Sequence, residues 1–148
     1  MSVLITTRAE LEAMQVDGDY LLANDIDLSA APWTPLFNPY ASFVGTLDGD
    51  GYQITGLSIP NGSTDYTAFI QQVGGGGSSV GLIKNLRMTG VSVYTVDTTK
   101  QLTAALVGNN YGTIQDCRIS GTVSGGSYTG LLVAANYGTV ERCFTEGA

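Results

Sequence analysis

The stretch NNYGTIQDCRISG, residues 109–121, returns as ANYGTVERCFTEG at residues 135–147. Within these two copies Cys117 recurs 26 residues later as Cys143. A segment that recurs almost unchanged at a fixed spacing indicates a repeat architecture, in which each copy forms one unit stacked on the next.

Earlier parts of the chain carry the same pattern of apolar positions. One apolar position recurs as Ile54, Ile83, Ile114 and Val140. The next recurs as Leu57, Leu86, Cys117 and Cys143. A second apolar element precedes the later copies, at residues 66–70, 102–107 and 128–133. Short strands alternating with turns therefore recur with a period of roughly 26–31 residues.

This period favours an all-β fold, a right-handed parallel β-helix of about four to five coils with about three short strands in each. The abundant Gly, Asn and Thr exclude helical repeats, and a propeller blade needs a longer period. The charged fraction of 13% and the 20 glycines agree with a turn-rich β protein. Residues 71–79, QQVGGGGSS, are predicted to form a flexible projecting loop.

The two ends of the chain differ from the repeats. The segment Thr7-Arg8-Ala9-Glu10 matches a capping box and predicts a short helix at roughly 7–14 that covers the open first coil. We expect an N-terminal cap over residues 1–19 and a β-helix over residues 20–148. Since no capping element follows the last repeat, we expect another subunit or further chain to cover the last coil.

Composition excludes several classes of function. The net charge is −7, with six Lys and Arg and no His. This balance disfavours nucleic acid and anionic membranes as partners, and it removes a Ser–His–Asp triad and the commonest zinc ligand. The chain shows neither an apolar run of membrane-spanning length nor a visible signal peptide. We therefore expect no membrane insertion and no cofactor. The chain is expected to be a protein not exported through a signal peptide, a mature fragment, or a virion component assembled inside the cell.

Cys117 and Cys143 are candidates for a disulfide or a metal site. Two Cys without His provide too few metal ligands. On adjacent parallel strands their Cα atoms would lie about 4.8 Å apart, but parallel side chains suit the disulfide torsion poorly. We predict an inward core column of Leu57, Leu86 and the two reduced cysteines, which act as small hydrophobes.

Acidic residues offer two further candidate sites. The segment Asp48-Gly49-Asp50-Gly51 could bind Ca²⁺, but it lacks the EF-hand spacing and is predicted to be a turn. Paired carboxylates of a polysaccharide-cleaving enzyme could come from Asp48 with Asp50, or from Asp116 with Glu141. Because Asp116 aligns with Arg142 in the repeat, we predict a surface ion pair between coils and no catalytic residue.

Aligned polar and aromatic residues are candidates for structure and for contact. Asn110 and Asn136 predict an amide ladder at a corner of the coil. Tyr111 and Tyr137 predict either an exposed aromatic strip for sugar rings or packing over that corner. Phe144, directed outward at the end of the repeats, is a third candidate for a contact surface.

The repeat segments LVGNNYGTIQDC, residues 106–117, and LVAANYGTVERC, residues 132–143, resemble the GLUG motif of large bacterial surface proteins and some phage-associated proteins. The resemblance covers about residues 5–146. It implies a parallel β-helix used in adhesion, passenger domains or virion appendages, and it supplies no catalytic residue.

We therefore expect a non-catalytic structural or adhesive module on a virion or cell surface. It would assemble with itself or with a larger fibre and present loops for binding, with a surface glycan as a candidate ligand. The alternative is a carbohydrate-active phage tail-spike or depolymerase domain.

Overall fold

The computed structural model describes residues 2–60, 66–75, 80–95, 102–125 and 127–147. These residues form a β-solenoid of about four turns, built from stacked parallel strands. The predicted all-β parallel solenoid is thereby confirmed. No described helix is long and apolar enough to cross a membrane.

The elements of the described residues follow one another in chain order. They are β1 (Val3–Ile5), α1 (Arg8–Glu12), β2 (Asp19–Leu22), β3 (Ile26–Asp27), β4 (Thr46–Asp48), β5 (Gln53–Thr55), β6 (Ser58–Ile59), β7 (Tyr66–Thr67), β8 (Ile70–Val73), β9 (Leu82–Lys84), β10 (Arg87–Tyr94), β11 (Leu102–Ala104), β12 (Val107–Asn110), β13 (Thr113–Gln115), β14 (Arg118–Ser124), β15 (Tyr128–Gly130), β16 (Val133–Asn136), β17 (Thr139–Glu141) and β18 (Phe144–Gly147).

The first sheet runs along the whole solenoid in the order β1-β2-β4-β9-β13-β17. Its central residues form one apolar column through the core: Leu47, Ile83, Ile114 and Val140. The first three are fully buried because neighbouring coils cover them on both sides, whereas Val140 is only partly buried. Period-two alternation in each short strand directs this residue inward and its two neighbours outward.

The second sheet has the order β3-β5-β10-β14-β18, and β6 also pairs with β10. Strand β10 reaches both β5 and β6 because an irregularity between Met88 and Val91 bends it. Gly90, with φ of 64°, lies at that bend and adopts the left-handed backbone there.

Two smaller sheets close each coil, with the orders β7-β11-β15 and β8-β12-β16. A complete coil therefore has four strands, not about three as predicted. The apolar run at residues 102–107 divides into β11 and β12 at Ala105 and Leu106, which are both fully buried. Burial of two consecutive side chains at this corner interrupts the alternation of inward and outward residues that a strand shows. The two strands and their corner therefore look like a single strand in the sequence.

The predicted stacking partners of Ile54 and Leu57, the earliest members of the two columns, are wrong. Gln53 pairs with Arg87 and Ser58 pairs with Ser92, so Leu57, although fully buried, lies beside Val91 and does not stack on Leu86. Likewise Ile54 pairs with Met88 and not with Ile83.

The physical cause of this shift is the length of the coil that begins at Leu47. Leu47 and its partner Ile83 are 36 residues apart, whereas Ile83 and its partner Ile114 are 31 residues apart. A step of 29 residues from Ile54 therefore ends at Ile83, five residues before the true partner Met88 and on the preceding side of the coil.

The helix α1 covers Arg8–Glu12, within the predicted range 7–14 and shorter than it. Thr7 and Glu10 form the capping box that the sequence indicates. Leu11 and Met14 are buried in the core, and β1, which precedes the helix, pairs with β2.

Arg8 attaches this helix to the following coil. Its guanidinium donates to the carbonyl oxygens of Leu28, Ala31 and Pro32 at 3.2, 2.8 and 2.7 Å. It also lies 5.4 Å from the ring centre of Trp33, within the range of a cation–π contact.

The predicted start of the projecting loop at residues 71–79 is wrong, because strand β8 continues to Val73. Gln71, Gln72 and Val73 belong to β8, and Gln72 and Val73 are buried. Residues 76–79 lie outside the described residues.

Candidate functional site

Asn110 and Asn136 lie at corresponding corners of successive coils and are joined by their side-chain amides. Asn110 Nδ2 donates to Asn136 Oδ1 at 2.9 Å. Asn110 Oδ1 accepts from the backbone N–H of Gly112 at 3.0 Å, and Asn136 Oδ1 accepts from that of Gly138 at 3.2 Å. Each amide thus satisfies the turn of its own coil and contacts the next one, the arrangement of an amide ladder.

A second amide column lies one residue earlier in the same strands, where Gln72, Asn109 and Ala135 are in register. Asn109 Nδ2 donates to Gln72 Oε1 at 3.3 Å, and Gln72 Nε2 donates to the carbonyl oxygen of Gly74 at 3.0 Å. These two bonds fix the orientation of both amides, because exchanging O and N in Asn109 would place two acceptors together.

The second column ends with an unsatisfied acceptor. Asn109 Oδ1 has no hydrogen-bond partner in the structure as described, although Asn109 is only 6% exposed. The next rung would need an amide donor at position 135, where the chain has Ala135. Buried polar atoms are almost always paired, so this oxygen needs an explanation.

Four tyrosines surround this position. They belong to a concavity of about 320 Å³, here called the tyrosine groove, which is lined by Tyr66, Leu102, Asn109, Tyr111, Tyr128, Ala135 and Tyr137. The groove lies where the two smaller sheets meet, since Tyr66, Leu102 and Tyr128 are in register on one and Asn109 and Ala135 on the other.

The rings of Tyr111 and Tyr137 form one wall of the groove. Their centres lie 5.1 Å apart and their planes differ by 14°, a stacked arrangement. Tyr137 is 70% exposed, whereas Tyr111 is partly buried beneath it. The pair therefore presents an open aromatic face at the surface of the solenoid.

The two cysteines are free thiols on successive coils. Cys117 is fully buried, and burial raises the pKa of its thiol to about 12. Cys143 is partly buried, because it lies at the last described coil. Leu86 is buried on the other side of Cys117 in the core, whereas Leu57 belongs to another column, as described above.

The candidate carboxylates are held by local partners. Asp48 Oδ1 accepts from the backbone N–H of Asp50 at 2.8 Å and from Asn85 Nδ2 at 3.2 Å, and Oδ2 lies 3.9 Å from Lys84 Nζ. These contacts are those of a turn. Among the described residues, no three His, Cys, Asp or Glu side chains are grouped as a metal site.

Asp116 and Arg142 form an ion pair between coils. Arg142 donates to both carboxylate oxygens of Asp116, at 2.8 and 3.1 Å. The hydrogen bond from Arg142, assisted by its charge, lowers the pKa of Asp116 below its ordinary value. Both residues have positive φ, 55° and 53°, as does Asn85 at the same corner of the preceding coil.

The last described coil has an uncovered apolar side, here called the open coil face. Its residues line a concavity of about 470 Å³: Leu132, Val133, Asn136, Val140, Glu141, Arg142, Cys143 and Thr145. Within the described ranges, β15, β16, β17 and β18 are each paired on one side only. The four apolar members are partly buried, whereas their counterparts one coil earlier are fully buried: Leu106, Val107, Ile114 and Cys117.

Phe144 lies on the outer surface of the second sheet and is half exposed. It is in register with Arg118, whose guanidinium lies 5.0 Å from the centre of its ring. Arg118 in turn is in register with Arg87.

Sequence reasoning found the tyrosine pair but not the groove. Tyr66 and Tyr128 lie on a different sheet from Asn109, and a spacing of repeats does not show how two sheets meet. One signal was present in the repeats at residues 109–121 and 135–147. Their first position changes from Asn109 to Ala135, and this change ends the buried amide column.

Comparisons with known proteins give two related sequences. The chain is 33% identical over 129 residues to a protein of Evansella cellulosilytica named as a Gly-rich membrane protein, with 78% of this chain and 14% of that protein covered. It is 34% identical over 128 residues to halomucin of Haloquadratum walsbyi, with 80% of this chain and 1% of that protein covered. The chain thus spans a small part of the length of the curated relatives it matches.

No family model and no solved structure matches the chain.

Proposed function

We propose that the chain is a structural or adhesive β-helix module of a virion or cell surface, without catalytic activity, that assembles with itself or with a larger fibre and presents loops for binding. In this proposal another subunit or further chain covers its open coil face. One observation carries this proposal. Leu132, Val133 and Val140 are partly exposed at positions where the preceding coil is fully buried. Covering apolar side chains and unpaired strand edges is favourable, and a second coil-bearing surface offers both kinds of contact.

Other observations support a role in assembly over catalysis. Asp48 and Asp116, two of the four candidate carboxylates of the alternative depolymerase hypothesis, form ion pairs with Lys84 and Arg142. An enzyme that cleaves glycosidic bonds needs one carboxyl whose pKa is raised, whereas the pKa of Asp116 is lowered. One relative is named as a Gly-rich membrane protein, and this name agrees with a surface location.

Three finer features belong to the same proposal. The coils are right-handed, the sense that parallel strand crossovers adopt. The helix α1 is a cap, because Leu11 and Met14 lie against the core at the end marked by β1. The repeats at residues 106–117 and 132–143 belong to the GLUG type.

Light scattering across a range of concentrations tests the assembly. We expect the mass of the wild-type particle to exceed that of one chain and to rise with concentration. Thr145→Lys, which places a charge on the open coil face, should shift the distribution toward the single chain. Thr34→Lys, a matched exchange at an exposed residue that is not part of that face, should leave the distribution unchanged.

Circular dichroism of both variants shows whether the fold is retained. A wild-type chain that stays a single particle at high concentration contradicts assembly by this face. Equal effects of Thr145→Lys and Thr34→Lys would show that charge alone, and not position, governs association.

A further inference from the structure

We infer that the tyrosine groove is a binding site for a neutral pyranose ring of a glycan, with a sugar hydroxyl donating a hydrogen bond to Asn109 Oδ1. The inference rests on the proposed adhesive function for its biological setting only. Its physical basis is separate, because the tyrosine groove and the open coil face have no lining residue in common.

The unpaired oxygen of Asn109 calls for a donor. Asn109 is nearly buried, lines the groove, and keeps Oδ1 without a partner in the described structure. In the adjacent column an amide oxygen has a donor, since Asn110 Nδ2 donates to Asn136 Oδ1 at 2.9 Å. Position 135 carries no amide, and Ala135 lines the groove beside Asn109. Because the oxygen itself is covered, a hydroxyl that enters beside Ala135 supplies the missing donor as the covering side chains shift.

The walls of the groove favour a sugar ring. The stacked pair Tyr111 and Tyr137 offers an aromatic face, and Tyr66 and Tyr128 add two further phenol rings. Flat aromatic faces pack against the C–H faces of a pyranose, whereas hydroxyl groups at the ring edge bond to polar atoms. A groove of about 320 Å³ is of the size usual for a small ligand.

The charge of the groove favours a neutral ligand. The described residues that line it include no Asp, Glu, Lys or Arg. The chain as a whole carries a net charge of −7, which repels acidic glycans. Peptides are the competing class of ligand, because they also present N–H donors and aromatic rings.

The test measures binding of a panel of neutral tetrasaccharides, built from glucose, galactose, mannose or N-acetylglucosamine, by saturation-transfer NMR and calorimetry on the full chain. We expect at least one member to bind. Ala135→Asn should complete the buried column, remove binding and raise the melting temperature, since its amide can donate to Asn109 Oδ1.

Tyrosine variants provide a second measurement that does not depend on position 135. Tyr137→Ala should weaken binding about tenfold by removing the outer ring of the stack, whereas Tyr137→Phe keeps the ring and should bind nearly as well as wild type. Tyr40→Ala is the matched control, since Tyr40 is fully exposed and lies outside the groove.

Three results would overturn the inference: no binding of any member of the panel by the wild-type chain, unchanged binding in Ala135→Asn, or binding of Tyr- and Trp-containing peptides in place of saccharides. These results are independent of the light-scattering experiment. A chain that assembles but binds no sugar would keep the proposed function and lose only the glycan site.

Discussion

Asn110 Nδ2 lies 2.9 Å from Asn136 Oδ1, so the amide of Asn110 bonds to the same residue type 26 positions further along the chain. Asn110 is fully buried, whereas Asn136 is exposed at the last described coil. One sequence pattern thus places two identical side chains in unequal surroundings. The difference can be measured.

Asn110→Ala should lower the free energy of unfolding by about 2–3 kcal/mol, because the buried N–H of Gly112 loses its acceptor. Asn136→Ala should lower it by less than about 1 kcal/mol, since water replaces the lost contacts of an exposed residue. Urea unfolding of both variants measures the two values. Similar losses at the two positions would contradict the ladder as described.

Alkylation should distinguish the two thiols. Cys117 is fully buried and the pKa of its thiol is raised to about 12, so at pH 8 it is almost entirely protonated and inaccessible. Ellman's reagent should therefore label Cys143 rapidly and Cys117 only after denaturation. Labelling of Cys143 should also slow as concentration rises if the open coil face becomes covered. Equal rapid labelling of both thiols in the folded chain would show that the core column is incorrect.

The ion pair between Asp116 and Arg142 predicts a dependence on pH. Because the pKa of Asp116 is lowered in the folded chain, the pair stabilises above the ordinary aspartate value of about 3.9 and is lost as pH falls through the lowered value. Arg142→Asn should raise the titration midpoint of Asp116 in carbon-detected NMR. Asn also tolerates the positive φ at this position.

Asp27 provides an internal control for this titration. Its pKa is lowered by the side chain and the backbone N–H of Ser29, far from the exchanged residue. The midpoint of Asp27 should stay in place in Arg142→Asn. A midpoint of Asp116 that does not move would remove the ion pair as the cause.

The hydrogen bonds of Arg8 predict how much the attachment of α1 contributes to the stability of the fold. Arg8→Lys should destabilise the chain by about 1–2 kcal/mol, since an ammonium group cannot reach the three carbonyl oxygens of Leu28, Ala31 and Pro32 together. Glu12→Gln removes only the exposed ion pair with Arg8 and should cost less than about 0.5 kcal/mol. Thermal unfolding of both variants measures the difference, and equal costs would show that Arg8 does not anchor the helix.

The later repeats could be placed from the sequence because their spacing is uniform. Ile114 and Val140 pair as the spacing of 26 residues predicts, and so do Asn110 and Asn136. Leu57 could not be placed in this way. Its neighbours keep an apolar alternation that fits two registers, and the spacing of the later repeats selects the wrong one because the coil from Leu47 to Ile83 is longer, at 36 residues.

The capping box at Thr7 and Glu10 was predictable because it depends on residues three positions apart. The tyrosine groove was not, because its walls come from two sheets and three coils. A local pattern gives the contacts within a coil, but the angle between two sheets follows from packing of side chains such as Ala105 and Leu106 at a corner.

The register of the amide ladder also makes the coil a unit of growth. A tandem copy of one 26-residue repeat would bring its own Asn to the corner, its own apolar residue to the core column and its own strand to each sheet. Each addition would bury the face of the coil before it and expose an equivalent new one. Length can therefore change by whole coils without any change in the contacts within them, so that a solenoid of this kind can act as a spacer of adjustable length.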